Sequence, residues 1–374
     1  MLTLVLSFLM SFALVFAIMP SVIRIAQDKG FVADPIARSS HKTSTPCIGG
    51  IPIFIGIIFT SLLMTPFDEW AEMQFILSAM VLVFLVGVKD DIESLSPLHK
   101  MVGLCIAISI LITRGEVQLS GMYGLLGVDG SFPQWLCLVI SGFTLLVITN
   151  AFNLIDGING LSGTVGTIAS LSFGVWFFMV DQFYLGVLCM TTAGSLIAFL
   201  RFNVSPARTF MGDTGALVVG LLLGVMAIKF IDINATASFP SQYRFANPIA
   251  VVVGILIIPL FDTIRVFTTR ILRGQSPLRP DRRHIHHLLI DSGFSHMEAT
   301  TILGITNLLF VSLMFYLDRE IGLHYLLALE IGLALLMAFF LHRNVRKINA
   351  QIISGASMAA PSQEATEKEL EKSL

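Results

Sequence analysis

The sequence predicts an all-α polytopic integral membrane protein with about eleven transmembrane helices (ten to eleven), and three observations carry that prediction. First, only 13% of the 374 residues are charged and 55% are hydrophobic, with a mean hydropathy of +0.83. A soluble domain carries about 25% charged residues. Second, apolar runs of about 20 residues recur, and a helix of that length crosses the hydrocarbon core with its backbone hydrogen bonds satisfied internally. Third, the basic residues partition between the inter-run segments. Net charge is −2, so there is no basic footprint for nucleic acid.

Taken in order, the predicted spans are 2–23, 48–66, 73–89, 101–113, 133–150, 161–180, 183–200, 215–231, 248–267, 299–317 and 322–341. The first run begins at Leu2 with no basic residue before it and leads through Met19-Pro20 into Arg24, which reads as a retained helix rather than a cleaved signal. The run at 101–113 is the shortest. Residues 1–348 form one transmembrane domain. The tail 349–374, rich in Ala, Ser, Glu and Lys, is expected to be disordered. Cys47, Cys105, Cys137 and Cys189 lie in or beside apolar runs with no metal-like spacing and read as small hydrophobes.

An odd number of spans puts the termini on opposite sides. With the C-terminus inside and the N-terminus outside, 19 of the 23 Lys and Arg residues face the cytoplasm. Arg114, Lys229, Arg244 and Arg319 remain outside. Under this topology HKTSTP (41–46), KDD (89–91), NAFNLIDGING (150–160), FMGDTG (210–215) and RRHIHH (282–287) all lie on the cytoplasmic face. The outer loops have no comparable cluster.

Each motif has a structural reading beside the chemical one. Asp90-Asp91 closes an apolar span, where the helix dipole disfavours negative charge, so the pair calls for a compensating cation. Adjacent carboxylates share a proton or hold a metal. Asn150, Asn153, Asp156 and Asn159 recur at steps of three at a membrane edge, where polar groups line cavities; a capping turn is the plainer reading. Asp213, between glycines before an apolar span, reads as an N-cap taken alone. Together with Asp90, Asp91 and Asp156 it reads as part of an oxygen-rich site for Mg²⁺ or Mn²⁺. In RRHIHH, His284 and His287 would share a helix face and His286 would point away. A zinc site stays open. Arg282 and Arg283 would repel a divalent cation, however, and arginines with imidazoles suit phosphate.

VADPIARSSHKTSTPCIGG, VGVKDD, NAFNLIDGINGL, FMGDTGA and SPLRPDRRHIHHLL resemble, in that order, the motifs of the polyprenyl-phosphate N-acetylhexosamine-1-phosphate transferases, glycosyltransferase family 4. RPDRRHIHHLL is closest to the undecaprenyl-phosphate N-acetylglucosamine-1-phosphate transferase branch. The phospho-MurNAc-pentapeptide transferase branch is the alternative. The resemblance implies transfer of a sugar-1-phosphate from a UDP-N-acetylhexosamine to undecaprenyl phosphate, with Mg²⁺ (Mn²⁺ as a substitute) and release of UMP. It implies a multi-pass protein of the bacterial cytoplasmic (inner) membrane, embedded in membrane lipid, starting a cell-envelope polysaccharide such as O-antigen. It leaves a homodimer open.

Residue by residue, the resemblance makes Asp213 and Asn153 metal ligands. It makes Asp90 and Asp91 the pair that activates the lipid phosphate, and Asp156 a further active-site acid. Lys42 falls near the phosphates and Phe210 on the uracil. Arg282, Arg283, His284, His286 and His287 fall on the nucleotide sugar. Asn159 stands where many bacterial relatives have Asp, so it cannot be a nucleophile or base; its amide can still read the uracil edge. A cation-coupled transporter is the competing class. Transporters often show internal repeats and midplane charges; here no repeat stands out and the acids sit at span ends.

Overall fold

The computed structural model describes residues 1–30, 45–128, 130–236, 238–276 and 284–359, with side chains to 348. Every predicted run is helical. The helices are α1 (Leu2–Asp28), α2 (Gly50–Met64), α3 (Trp70–Ile92), α4 (Pro97–Thr113), α5 (Gln134–Leu154), α6 (Leu161–Met179) and α7 (Phe183–Asn203). They continue with α8 (Gly212–Thr236), α9 (Pro248–Ile255), α10 (Ile257–Leu272), α11 (Ile285–Asp291), α12 (His296–Leu317) and α13 (Leu323–Ala359). Among the described residues there is no β-strand. Among the described residues eight helices are long and apolar enough to cross a membrane, nine if α9 and α10 count as one bent span; α2 and α4 are shorter apolar helices. The chain is therefore an all-α polytopic membrane protein. The last helix continues past residue 348 to Ala359, and 360–374 lie outside the described residues.

α8 is the centre of the bundle, packed by α2, α3, α5 and α6. Its apolar residues run all round the helix, which marks a buried helix rather than a surface one. Of its most apolar 18-residue window 83% is buried, against 28% in α1 and 22% in α13, so the latter two lie at the rim. Local chemistry sets several ends. Ser96 caps α4 ahead of Pro97, accepting from the His99 amide. Ser295 and Glu298 form a reciprocal capping box on α12.

The predicted span 248–267 is broken, with α9 and α10 meeting at 83°. Pro259 explains the break. It has no N–H for the carbonyl four residues back, that of Ile255. Asn307 of α12 takes that carbonyl instead, its Nδ2 donating to Ile255 O at 3.0 Å. The bend turns Asp262 and Arg265 of α10 toward the segment that carries the histidines.

Candidate active site

Helix ends α3, α4, α5 and α8 meet at one place, and the meeting is built from α8 outward. Its first residue, Gly212, has φ +71, and an added Cβ there would lie 2.7 Å from Asp91 Oδ2 and 2.8 Å from the Cys47 carbonyl. A left-handed turn this close to a carboxylate admits glycine alone. Asp91 fills the space. Its Oδ1 accepts the Asp213 amide at 2.8 Å, and its Oδ2 accepts the Thr214 amide at 2.9 Å and the Thr214 hydroxyl at 2.5 Å. Asp91 thus caps α8 from another helix, satisfying orphan N–H groups and opposing the positive end of the dipole. Asp213, read from sequence as the cap, does not cap α8, so its side chain turns elsewhere.

It turns to Lys100 and Asn153. The Lys100 ammonium contacts Asp213 Oδ1 directly and pairs with Asp90 Oδ2 at 2.9 Å. Asn153 Nδ2 donates to Asp213 Oδ1 at 2.6 Å. Asp90 Oδ1 also accepts the Leu95 amide at 2.6 Å. Lys100 is the compensating cation that two acids at a helix C-terminus demanded; sequence reading had counted it only toward topology. Asp90 and Asp91 therefore occupy different surroundings, one ion-paired and one capping.

Asp156 follows α5 in the turn to α6 and accepts from the Ser162 hydroxyl at 2.6 Å. Burial first, and the neighbouring Asp213 and Asp91 next, push its carboxyl up to about 7 against the pull of Ser162. A carboxyl poised near neutrality can take and return a proton. Asp91, Asn153, Asp156, Gly157, Phe210 and Asp213 line a cavity of about 400 Å³. Phe210 is held on its wall by backbone pairing, its amide donating to Pro46 O at 2.9 Å and its carbonyl accepting Gly49 N–H at 2.9 Å. Cys47 lines the same cavity, and burial, then these acids, raise its thiol to about 12. It is a thiol, not a nucleophile. A second cavity of about 480 Å³, walled by Val22, Ile25, Ile51, Val88 and Ile92, meets the first at Cys47 and Asp91.

The histidine segment packs behind the cavity wall at Gly157, and differently from the helical reading. His284 is the N-cap of α11, outside the helix, so a step of three does not align it with His287. His286 is the residue turned inward, 2% exposed, and a Cβ on Gly157 would lie 2.3 Å from its Nε2. Gly157 therefore makes room for that ring. Burial first, then His287, lowers the His286 imidazole to about 3, so it stays neutral. The rings of His284 and His286 stack at 5.7 Å, and those of His286 and His287 lie at 4.3 Å. Asn159 sits apart from the acids. Its Nδ2 donates to Ser205 Oγ at 2.9 Å, and its buried Oδ1 has no partner. Lys42, Arg282 and Arg283 lie outside the described residues.

Among the described residues no three Asp, Glu, His or Cys side chains gather as a closed metal cage, and the three histidines form no zinc site. Asp90 and Asp213 instead flank the Lys100 ammonium, and Asn153 turns its Nδ2 to Asp213. Their carboxylates are the donors Mg²⁺ takes, one or two at a time with substrate phosphates completing its shell, and Lys100 would have to leave Asp213 for an ion to bind there.

Residues 73–231 match the profile described as glycosyl transferase family 4. The chain is 28% identical over 293 residues to decaprenyl-phosphate N-acetylglucosaminephosphotransferase of Mycolicibacterium smegmatis, covering 73% of this chain and 72% of that protein. It is 28% identical over 313 residues to the probable undecaprenyl-phosphate N-acetylglucosaminyl 1-phosphate transferase of Bacillus subtilis, covering 83% and 84%. It is 25% identical over 329 residues to undecaprenyl-phosphate alpha-N-acetylglucosaminyl 1-phosphate transferase of Escherichia coli K12, covering 85% and 84%.

Proposed function

Because its residues 73–231 match the profile of glycosyl transferase family 4, we propose that the protein transfers N-acetylglucosamine-1-phosphate from UDP-N-acetylglucosamine to undecaprenyl phosphate and releases UMP. The observation that carries the reading is the convergence of Asp90, Lys100, Asn153 and Asp213, with Asn153 and Asp213 on the wall of one cavity and Asp90 on the wall of the other. Two anions must meet for such a transfer, so charge has to be offset where they meet. The names of the relatives support the acceptor and the sugar.

In this reading a lipid-phosphate oxygen attacks the β-phosphorus of the sugar nucleotide, and the bond from that phosphorus to the UMP oxygen breaks. Asp213 and Asn153 would hold Mg²⁺, which when bound supplies positive charge to the diphosphate. Lys100 places a second cation there and keeps Asp90 and Asp213 together. Asp91 holds the start of α8, and so Asp213, in position. Asp156, its carboxyl raised to about 7, would take the proton from a singly protonated lipid phosphate as its oxygen attacks. Phe210 offers a flat face for uracil, Asn159 an amide to read it, and His284, His286 and His287 the wall over the sugar-phosphate. Lys42, Arg282 and Arg283 complete the phosphate contacts. The apolar second cavity beside Asp90 and Asp91 suits the first isoprene units of the acceptor.

The site opens to the cytoplasm, with the N-terminus outside and the C-terminus inside, in the bacterial inner membrane. Purified protein, undecaprenyl phosphate, Mg²⁺ and a panel of UDP-sugars labelled in the sugar test the proposal. Label from UDP-N-acetylglucosamine entering the lipid extract is expected. Preference for UDP-MurNAc-pentapeptide, or no lipid product with any donor, would overturn it.

A further inference from the structure

Asp262 lies in the second turn of α10, after its bend from α9, and is 1% exposed. It is a buried acid in an otherwise apolar stretch, and a buried charge needs a partner. Its partners are specific. Asp262 Oδ1 accepts the Ile285 amide at 2.9 Å and pairs with Arg265 Nη2 at 2.9 Å. Its Oδ2 lies 2.9 Å from His284 Nδ1. One carboxylate therefore ties the bent span to the start of α11, both through the backbone and through the first histidine ring.

With donors already on Oδ1 and Arg265 balancing the charge, Asp262 is an acceptor, and His284 Nδ1 must carry the proton between them. A carboxylate on one ring nitrogen fixes the tautomer and leaves the other nitrogen to the ligand. His284 stacks on His286, whose Nε2 abuts Gly157 on the cavity wall. Orientation set at Asp262 is thereby passed along the rings to the cavity.

We propose that Asp262 is a positioning residue for the sugar-nucleotide half of the site: it fixes the tautomer and placement of His284, and through the ring stack the placement of His286 over the diphosphate. The inference rests on the reading of the cavity as a sugar-nucleotide site. Asp262 bonds to Arg265, His284 and Ile285, whereas Lys100 pairs with Asp90 and Asp213, so the lipid-phosphate half is expected to stay undisturbed when Asp262 is changed.

Two measurements test it. In the first, Asp262→Asn, Asp262→Glu, His284→Ala and the double variant Asp262→Asn/His284→Ala are compared by KM and kcat for both substrates. Asp262→Asn is expected to raise KM for the sugar nucleotide at least tenfold while leaving KM for the lipid phosphate within about twofold. Asp262→Glu should recover part of the loss, and the double variant should fall no further than His284→Ala alone. Equal shifts in both KM values, or additive losses, would overturn the proposal by making Asp262 only a structural acid.

The second measurement needs neither activity nor an Asp262 variant. In protein labelled with ¹⁵N only at its eight histidines, the signal lost in His284→Ala should show Nδ1 protonated. A bare Nδ1 on His284 would overturn the proposal. If the wild-type protein transfers no sugar-phosphate with any donor, the functional reading falls, and the nitrogen spectrum still decides the Asp262–His284 arrangement.

Discussion

Replacing Asp91 by Asn should unfold the protein more easily before it reveals anything about chemistry. Asp91 accepts three hydrogen bonds at the start of α8, from the Asp213 amide, the Thr214 amide and the Thr214 hydroxyl. An amide has one acceptor oxygen, and its NH₂ would face N–H donors, so at least one bond is lost. A hydrogen bond to a charged group contributes about 1.5–3 kcal/mol, and a charge at a helix N-terminus about 0.3–1 kcal/mol. The expected loss is about 2–4 kcal/mol, read as a lower midpoint of denaturant unfolding in detergent. Asp213→Asn, measured alongside, should lower the midpoint by less than Asp91→Asn: it caps nothing, and the bonds it takes from Lys100 and Asn153 are on a side chain 31% exposed, where solvent screens them. It should still abolish transfer, because the amide removes the charge the metal needs. Asp91→Asn with wild-type stability and no activity would refute the reasoning and make Asp91 a reacting group.

Other outcomes follow from the same geometry. Lys100→Met should reduce transfer at least about a hundredfold, with the helical circular dichroism retained, because Asp90 and Asp213 then face each other without a cation; near-normal turnover would mean that Lys100 serves topology alone. His286 stays neutral when folded, near 3 against an ordinary 6.5, so the unfolded chain binds the extra proton. Its contribution is fully present above about pH 6.5 and is lost as pH falls from 6.5 toward 3, by about 1.4 kcal/mol per unit. Asp156 acts in the opposite direction over part of that range, since its raised carboxyl makes the folded chain the better proton binder. The check is therefore the difference in unfolding midpoint between wild type and His286→Gln, which should narrow as pH drops from 7 to 5; a constant difference contradicts it. For topology, an impermeant thiol reagent on intact cells should label Ser131→Cys and not Ser276→Cys.

The span pattern was legible because lipid imposes one rule, an apolar run of about 20 residues per crossing, and all eleven runs proved helical. The break at Leu256 was legible in principle, since Pro259 sits within the run, but the partner that stabilises it, Asn307, is contributed by another helix. The same limit applies at the site. That Asp90, Asp91, Asn153, Asp156 and Asp213 lie near one another was expected from the predicted topology, which put their motifs on one side. Which of them pairs with Lys100 and which caps α8 depends on how α3 and α4 pack against α8, and no local pattern encodes that. His286 was placed outward because the helical step was counted from His284, which turns out to precede the helix. Asp262 carried a signal that went unread: an acid inside the apolar run IIPLFDTIRVF needs a partner, and His284 is that partner.

The central claim is that the phosphate travels with the sugar. It is tested most directly with UDP-N-acetylglucosamine carrying ³²P at the β-phosphate and ³H in the sugar, incubated with purified protein, Mg²⁺ and undecaprenyl phosphate. The account predicts both labels in the lipid extract in equal amount, UMP as the uridine product, and neither label transferred by Asp213→Asn. Tritium in the lipid without ³²P, with UDP released, would contradict it.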